Sequence, residues 1–458
     1  MSRSFAKNRI QTISFLSGFF IFLAMNLVSL SVKSQDVKSL TLQETIDLSL
    51  KNSHILKASS AKIEEAIAQT KQAEDNKLPN ASVSGSYLYL DNPNIDLKTK
   101  AFSGGGSDTS SSKGGFPKVN QAMYGIFNVS LPIYAGGKIR YGIESAKYLQ
   151  QATMLDAAND KEGVILNTIN AYINLYKAFV TVGVVKENLQ QSEHRDSVFT
   201  RLEQNGLMAR NDLLKAELQT SNISLSLLDA QSNLKIANVN MDLMIGYPET
   251  TVLKTDSTGF DKNLSLKTID DYEQMALQNR NDIKALSFRR QAATTGISLA
   301  KADQYPTVAL TGGYIAADVP HILSITNAIN IGVGLQYNLS SLWKTKAKIQ
   351  EAQSREKEVI ENEAQLDDVV RLQVNQDFEN LLLSQRKISV FEKAVAQAEE
   401  NYRITKNKYD NALVNTTDLL DANVSLLQSK INLAVAKADV LLAYSKLLET
   451  TGTLSDNQ

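Results

Sequence analysis

Several residue types are absent or scarce in this chain of 458 residues, and each absence excludes a class of function. There is no cysteine, which excludes disulfides, thiolate metal sites, a cysteine nucleophile and a lipidated N-terminal cysteine. The three histidines, His54, His194 and His321, lie far apart in sequence, so we expect no histidine-rich metal site. Only seven prolines and one tryptophan occur, which favours long uninterrupted elements.

An excess of charge of one sign is also missing. The chain has 48 Lys and Arg against 49 Asp and Glu, which argues against an electrostatic nucleic-acid binder. No nucleophile, base or metal-ligand constellation is arranged along the sequence, so we expect neither enzymatic activity nor a bound cofactor or metal. The triplet Gly104–Gly106 lacks the strand and helix of a phosphate-binding loop and predicts a flexible loop.

The N-terminal segment 1–34 has the pattern of a secretory signal peptide. Three basic residues precede an apolar segment from Ile13 to Val32, and Ser34 completes a cleavage motif before Gln35. The alternative is an uncleaved membrane anchor, which the polar and small residues within the apolar segment disfavour. No later segment has about 18 consecutive apolar residues, so we expect no further transmembrane helix; an exported chain can still enter a membrane as β-strands.

The rest of the chain is an internal duplication. Asn205–Leu207 aligns with Asn411–Leu413 at one constant offset, and Pro79 aligns with Pro306 at a somewhat larger one. The difference between the two offsets corresponds to an insertion within the Gly/Ser-rich tract 103–115 of the first copy. We therefore predict a first repeat at 35–248, a linker or equatorial segment at 249–274, and a second repeat at 275–458.

Each copy has the same predicted layout: a shorter helix, a strand pair, a very long helix and a returning helix. The predicted helices are 55–77, 138–204 and 212–245 in the first copy and 282–303, 344–410 and 418–448 in the second, with strand pairs at about 80–134 and 307–340. A helix as long as 138–204 would span about 100 Å, which no compact domain accommodates. The layout predicts a long antiparallel helical column.

The returning helices carry a heptad repeat. From Leu419 to Leu447 an apolar residue recurs every seven positions, and mostly alanines fill the fourth position between them. A seam of leucine and alanine predicts closely packed helices with coiled-coil geometry. An ordinary soluble coiled coil would show the same signal.

The strands carry a second, independent pattern. Ile331, Val333 and Leu335 alternate with glycine, asparagine and glutamine in the segment 329–339, which gives one apolar and one small polar face. We predict that these three side chains face lipid and that the opposite face lines a water-filled lumen, although a soluble sandwich also alternates. Four strands cannot close such a barrel, so we predict that the chain oligomerises; three chains would supply twelve strands.

Taken together, these features resemble the TolC-like outer-membrane efflux protein family from Leu42 to about Gly452. The segment 42–50 followed by 61–79 is similar to the family's first helices, and Val129–Gly137 is similar to its strand running into a long helix. The paired turns at Asn205 and Asn411 and the closing segment Ile245–Pro248 complete the resemblance.

The resemblance implies a mixed membrane fold: a trimeric twelve-stranded outer-membrane β-barrel, four strands per chain, continued by a long periplasmic α-helical coiled-coil barrel. It implies a passive exit duct of a tripartite efflux or type I secretion system, in the outer membrane and extending into the periplasm. The implied partners are outer-membrane lipid, a periplasmic adaptor (membrane fusion) protein and an inner-membrane pump. The competing hypothesis is an envelope-spanning structural coiled-coil protein without a pore, which would need no alternating strands.

The resemblance also assigns site residues. Tyr409 matches the family's tyrosine at the periplasmic tip, Asp418 and Asp421 match the aspartate rings that narrow the entrance, and Asp212 matches the first-copy aspartate of the tip network. Val414 departs from the family, because the best-known members carry an arginine there that ties the tip shut.

The residues themselves allow two interpretations of the aspartate pair. Asp418 and Asp421 are three positions apart on a helix, so they share a face, and three chains would gather six carboxylates that attract cations. Alternatively, the acids only stabilise the first turn of the helix, with Asn415 as its N-cap.

Overall fold

A computed structural model describes residues 37–91, 120–256, 266–320 and 323–455. The predicted signal peptide at 1–34, the glycine-rich tract at 103–115 and His321 lie outside these residues.

The described residues form eight helices and six strands. The helices are α1 (Leu42–Asn52), α2 (His54–Asp75), α3 (Lys138–Gln204), α4 (Arg210–Ile245), α5 (Ile269–Asn279), α6 (Asn281–Ala302), α7 (Ser341–Asp410) and α8 (Thr416–Thr450). The strands are β1 (Val37–Leu40), β2 (Asn80–Tyr89), β3 (Gln121–Tyr134), β4 (Val252–Thr255), β5 (Thr307–Val319) and β6 (Leu323–Gln336). Among the described residues, no helix combines the length and apolar character needed to cross a membrane.

The duplication appears in the element boundaries. Helices α1 and α2 precede α5 and α6 by the same offset that separates Pro79 from Pro306, and β2 and β5 begin at this offset too. The starts of α4 and α8 are separated by the offset between Asn205 and Asn411. Both predicted long helices are present, and α7 begins at Ser341, slightly before its predicted start, a difference typical of helix ends. Helix α5 begins at Ile269, within the segment that we assigned to the linker.

The chain divides into two compact units, and α3, α7 and α8 contribute residues to both. The first unit comprises residues 37–52, 167–256 and 384–442 of the described chain. Its core lies where β1 and β4 pair in parallel beside α3 and α4, around Tyr172, Met241 and Ile245. The Tyr172 hydroxyl bonds the Leu40 carbonyl at 2.9 Å and accepts from the Asp256 N–H at 2.8 Å, and burial raises the pKa of this phenol to about 12.

The second unit comprises residues 53–91, 120–166, 266–320, 323–383 and 443–455 of the described chain. Hydrogen bonds and an ion pair link the end of α8 to other segments of this unit. The buried Asp377 carboxylate accepts from Thr450 Oγ1 at 2.7 Å and pairs with Lys446 Nζ at 3.0 Å, and Arg280 donates to the Thr450 carbonyl at 3.2 Å. Burial raises the pKa of the neighbouring Glu449 carboxyl, an effect that the Arg280 charge partly offsets.

The same unit contains one antiparallel sheet with the strand order β2-β3-β5-β6. Both predicted strand pairs, β2 with β3 and β5 with β6, are present in this sheet, and the pairing of β3 with β5 joins the two repeats. Strands β2 and β6 are the edges of this sheet, so each has one side without a strand partner among the described residues.

Candidate functional site: the paired helical turns and the two-faced sheet

The turns between the long and the returning helices have the same geometry in both repeats. After α3, Gly206 adopts a φ of 71°, and its N–H and that of Leu207 donate to the carbonyls of Glu203 and Leu202. After α7, Ala412 adopts a φ of 59°. Its N–H donates to the Tyr409 carbonyl, and the Leu413 N–H donates to the Lys408 carbonyl. Both are Schellman helix ends, but the second places an alanine where glycine is favoured.

Apolar packing brings the two turns together in the first unit. Phe199, Leu213, Ala216 and Leu419 form a buried cluster, against which Leu202, Met208, Tyr402 and Tyr409 pack. These residues come from the end of α3, the start of α4, the end of α7 and the start of α8, except Met208, which lies in the turn between α3 and α4. Segments from both repeats, distant in sequence, therefore form one apolar cluster.

Tyr409 is half-buried within this site. Its ring centroid lies 5.5 Å from that of Phe199, and its hydroxyl is 3.5 Å from Thr416 Oγ1. Burial raises the pKa of the Tyr409 phenol, and the negative charges of Asp212 and Asp410 raise it further. The hydrogen bond from Thr416 lowers this pKa and offsets part of the increase. The structure thus brings Tyr409 and Asp212 into one electrostatic environment.

Asp418 and Asp421 are both exposed in the first turns of α8. Asn415 Oδ1 accepts from the Asp418 N–H at 2.9 Å, and Asp418 Oδ2 accepts from the Asn415 N–H at 3.4 Å. This reciprocal pair is a capping box, so the capping role is present in the chain. It involves Asp418 alone and leaves the Asp421 carboxylate directed to solvent.

Asp212 and Val414, the other tip residues that the resemblance singled out, make few polar contacts. Asp212 is half-buried in the first turn of α4 and lies 3.6 Å from Lys215 Nζ. Val414 is half-buried in the turn after α7 and supplies no charge.

Sequence reasoning missed a run of buried polar residues on the last part of α3. Ser192 is 1% exposed, and its hydroxyl has no hydrogen-bond partner among the described residues. Asn188 donates to Asn423 Oδ1 at 3.2 Å, and Arg195, which is largely buried, donates to Thr220 Oγ1 at 3.3 Å. The spacing 188, 192 and 195 places them on one helix face, a signal that the heptad search did not use.

The sheet has two chemically distinct faces. Directly opposed residues of antiparallel strands share a face. Opposed pairs such as Val83 with Phe127 and Leu310 with Val333 lie on one face, and Ser82 with Asn128 lies on the other. The apolar face contains Val83, Tyr87, Phe127, Val129, Leu131, Leu310, Tyr314, Ile329, Ile331, Val333 and Leu335.

The predicted lipid-facing residues all belong to this apolar face. Ile331, Val333 and Leu335 are 82%, 68% and 71% exposed in the single chain. The opposite face contains mainly serine, threonine, asparagine and glycine, and its larger apolar members are Leu88, Tyr124, Ile126 and Ile315. The alternation read from the sequence around Ile331, Val333 and Leu335 is present in β6, whereas bulges between Pro132 and Tyr134 of β3 and between Ile315 and Ala317 of β5 interrupt it elsewhere in the sheet.

Comparison with known proteins identifies the class. The family model for outer membrane efflux proteins matches residues 45–247 and 273–453, so the chain belongs to the outer membrane efflux protein family. As a member of this family it is an outer-membrane protein that extends into the periplasm. Its relatives are channel proteins rather than enzymes.

Among its relatives, the outer membrane protein TolC of Escherichia coli K12 is 24% identical over 341 residues, which cover 68% of this chain and 65% of that protein. The chain thus matches less than two thirds of the length of this relative. The outer membrane efflux protein BepC of Brucella suis is 21% identical over 352 residues, 76% of each chain.

Solved structures show the same fold. That of CusC has a TM-score of 0.75 at 18% identity and covers 90% of this chain and 92% of its own. That of VceC from Vibrio cholerae has a TM-score of 0.73 at 19% identity, with 90% and 96% covered. The fold is that of the TolC-like channels, long paired helices with a small antiparallel sheet, and the predicted duplication agrees with the two matched segments.

Proposed function

We propose that this chain forms, as a homotrimer, the outer-membrane exit duct of a tripartite efflux or type I secretion system. It would receive substrates from an inner-membrane pump through a periplasmic adaptor protein and conduct them passively to the exterior. The observation that carries the proposal is the sheet: one exposed apolar face, one polar face and two open edges.

The open edges and the two faces support a barrel made by several chains. An edge strand presents unpaired N–H and C=O groups, which are costly in lipid unless another strand pairs with them. Pairing of β6 with β2 of a neighbouring copy would satisfy both edges and place the polar faces around a lumen. Three copies would supply twelve strands.

A row of exposed aliphatic side chains on α4 supports self-association of the helices as well. We call it the α4 stripe; its members share one face of the helix and are 47–65% exposed in the single chain: Leu214, Leu218, Leu225, Leu228, Ile236 and Leu243. A row of exposed aliphatic side chains along one face of a water-exposed helix indicates a protein contact. A neighbouring copy is the partner that also accounts for the open sheet edges.

We further propose that Asp418 and Asp421 form a ring of carboxylates at the periplasmic entrance of the trimer, next to Tyr409 and Asp212. Like charges brought together around one axis repel, and a multivalent cation would relieve the repulsion by binding there. The exposure of both side chains leaves them available to such a cation. In this chain Val414 supplies no cation to the tip, so closure depends on other contacts.

The test is single-channel conductance of the purified trimer in planar bilayers, with a trivalent cation added on the periplasmic side. We expect the wild type to conduct and to be blocked, and Asp418→Asn/Asp421→Asn to conduct without block. Asp229→Asn, an exposed change on α4, is the matched control and should be blocked like the wild type.

Each result has a distinct meaning. No conductance from a pure trimer would favour the structural coiled-coil hypothesis. Block of the double variant at the wild-type concentration would mean that Asp418 acts only in the cap of α8 and that the constriction lies elsewhere. Because Asn can also accept a hydrogen bond, the double variant should keep its trimer, which light scattering verifies.

A further inference from the structure

A cavity of about 360 Å³ lies in the second unit where the sheet meets the starts of α3 and α7. Thr307 and Gln336, which are directly opposed in β5 and β6, belong to its lining. They share the polar face of the sheet with Thr311 and Gly332. The cavity therefore opens on the polar face and not on the face of Ile331, Val333 and Leu335.

Positive charge dominates this cavity. Lys138 from α3 and Lys344 and Lys348 from α7 line it, and Asp303 after α6 is the only acid that the described residues contribute to the lining. Each Asp303 oxygen pairs with one lysine, Oδ1 with Lys138 and Oδ2 with Lys348, both at 2.9 Å. The lining thus contains three lysines and one carboxylate, which leaves it with two more positive than negative charges.

The local backbone strengthens this imbalance. Lys138 and Lys344 lie in the first turns of α3 and α7, helices of 67 and 70 residues that have no acidic residue in the first turn. A helix N-terminus favours negative charge, so lysines there are placed where cations are least stable on their own. An anion in the cavity would relieve the repulsion among the lysines and meet the donors that surround it.

We propose that this cavity, the junction site, binds a phosphate-type or carboxylate anion through Lys138, Lys344 and Lys348. Its position in a lumen rests on the proposed channel function, and it would then contact anionic groups of molecules that pass through the duct. A phosphate-bearing lipid headgroup would offer the same chemistry from the membrane. Asp303 holds two of the lysines in place without neutralising the third.

The probe is tripolyphosphate, added on the extracellular side of wild-type channels in bilayers of phosphatidylcholine. We expect it to reduce conductance, and we expect Lys344→Gln/Lys348→Gln to require about tenfold or more probe, because two charge-assisted contacts are lost. Lys346→Gln is the matched control, since Lys346 is exposed on the same helix but does not line the cavity. Calorimetry of tripolyphosphate with the purified trimer should give the same order of affinities without any need for conductance.

Equal affinity of the wild type and the double variant in calorimetry, or loss of affinity in Lys346→Gln as well, would overturn the junction site. Binding without conductance in any bilayer would instead contradict the channel function and leave the site standing. Addition of phosphatidylglycerol to the bilayer distinguishes the two sources of the anion, a lipid headgroup and a molecule in the duct. A lipid headgroup in the site would raise the probe concentration that blocks the wild type, whereas a site open only to the lumen would not respond.

Discussion

At the scale of single residues, the most unusual side chain is Asp242 of α4. It is fully buried; its Oδ2 accepts from Asn238 Nδ2 at 2.8 Å, and its Oδ1 has no partner among the described residues. Burial, with a smaller contribution from the Glu249 charge, raises the pKa of this carboxyl from 3.8 to about 6. A buried carboxylate with one unsatisfied oxygen is costly, so the fold favours the protonated form.

The raised pKa predicts a dependence of stability on pH. Between pH 3.8 and about 6 the folded state binds a proton that the unfolded state has released. The stabilisation from Asp242 is therefore complete below pH 3.8 and is lost as the pH rises through 6. We expect the thermal unfolding midpoint of the wild type to rise when the pH falls from about 7.5 to about 5.5.

Asp242→Asn should remove this contribution and stabilise the protein near neutral pH by about 1–3 kcal/mol. Thermal unfolding followed by circular dichroism at several pH values measures both effects. Asp229→Asn on the exposed side of the same helix should retain the wild-type profile. An Asp242→Asn protein with an unchanged profile would mean that the buried carboxyl does not titrate in this range.

At the scale of elements, the two helical turns permit a paired test of backbone conformation. Ala412 occupies a left-handed conformation that costs an L-residue about 1–2 kcal/mol, whereas Gly206 occupies the equivalent position without strain. At this aligned position, the backbone conformation is therefore less favourable in the second repeat than in the first. A Cβ at Gly206 would contact nothing within 4 Å, so a substitution there tests the backbone alone.

We expect Ala412→Gly to stabilise the protein by about 0.5–1 kcal/mol, since relief of strain exceeds the added entropy of the unfolded chain. Gly206→Ala should destabilise it by a similar amount. Urea unfolding of the two single variants measures both changes. Destabilisation by Ala412→Gly would show that the strain at Ala412 is smaller than the entropy that glycine adds to the unfolded chain.

The strand β6 permits a second paired test at this scale. Val333 lies on the exposed apolar face and its neighbour Gly334 lies on the polar face. If the apolar face contacts lipid, Val333→Arg should cost about 2–4 kcal/mol near the bilayer midplane. Gly334→Arg should be tolerated better, because a Cβ there lies 3.5 Å from Thr311 Cγ2, an ordinary contact.

Yield of folded trimer from outer membranes compares the two variants directly. We expect a strong reduction for Val333→Arg, and for Gly334→Arg a near-normal yield with altered conductance. Equal assembly defects would contradict the assignment of the two faces to lipid and lumen.

At the scale of the whole molecule, the proposed trimer depends on surfaces that a single chain leaves uncovered. Leu218 and Leu225 of the α4 stripe are 64% and 60% exposed. Burial of a leucine side chain is worth about 1.5–3 kcal/mol, so Leu218→Glu/Leu225→Glu should weaken the trimer strongly. The buried seam of α4 at Leu213, Ala216 and Ile223 is untouched by these changes.

Light scattering in detergent measures the oligomeric state of the variant, and circular dichroism verifies that its helices persist. The control is Ser226→Glu, which adds charge on the same helix to one side of the stripe. If the double variant is as trimeric as the control, the α4 stripe is not part of the trimer interface.

The repeating features of this protein were predictable from the sequence because they depend on local periodicity. The offset between Asn205 and Asn411 indicated that two equivalent turns exist, and the alternation around Val333 determined which side chains share a face of the sheet. The register across β2, β3, β5 and β6 did not follow from this pattern, because alternation alone permits slips of two residues and does not reveal the β-bulges.

The buried polar contacts were decided by the tertiary structure alone. Asp242 resembles any other aspartate in a helical sequence, and its raised pKa arises only because the pairing of β1 with β4 and the packing of α4 remove it from water. Asp303 likewise meets Lys138 although the two are far apart in the chain. Periodicity determines which face of an element is apolar, but the burial and pairing of a polar group depend on which distant elements pack against that face.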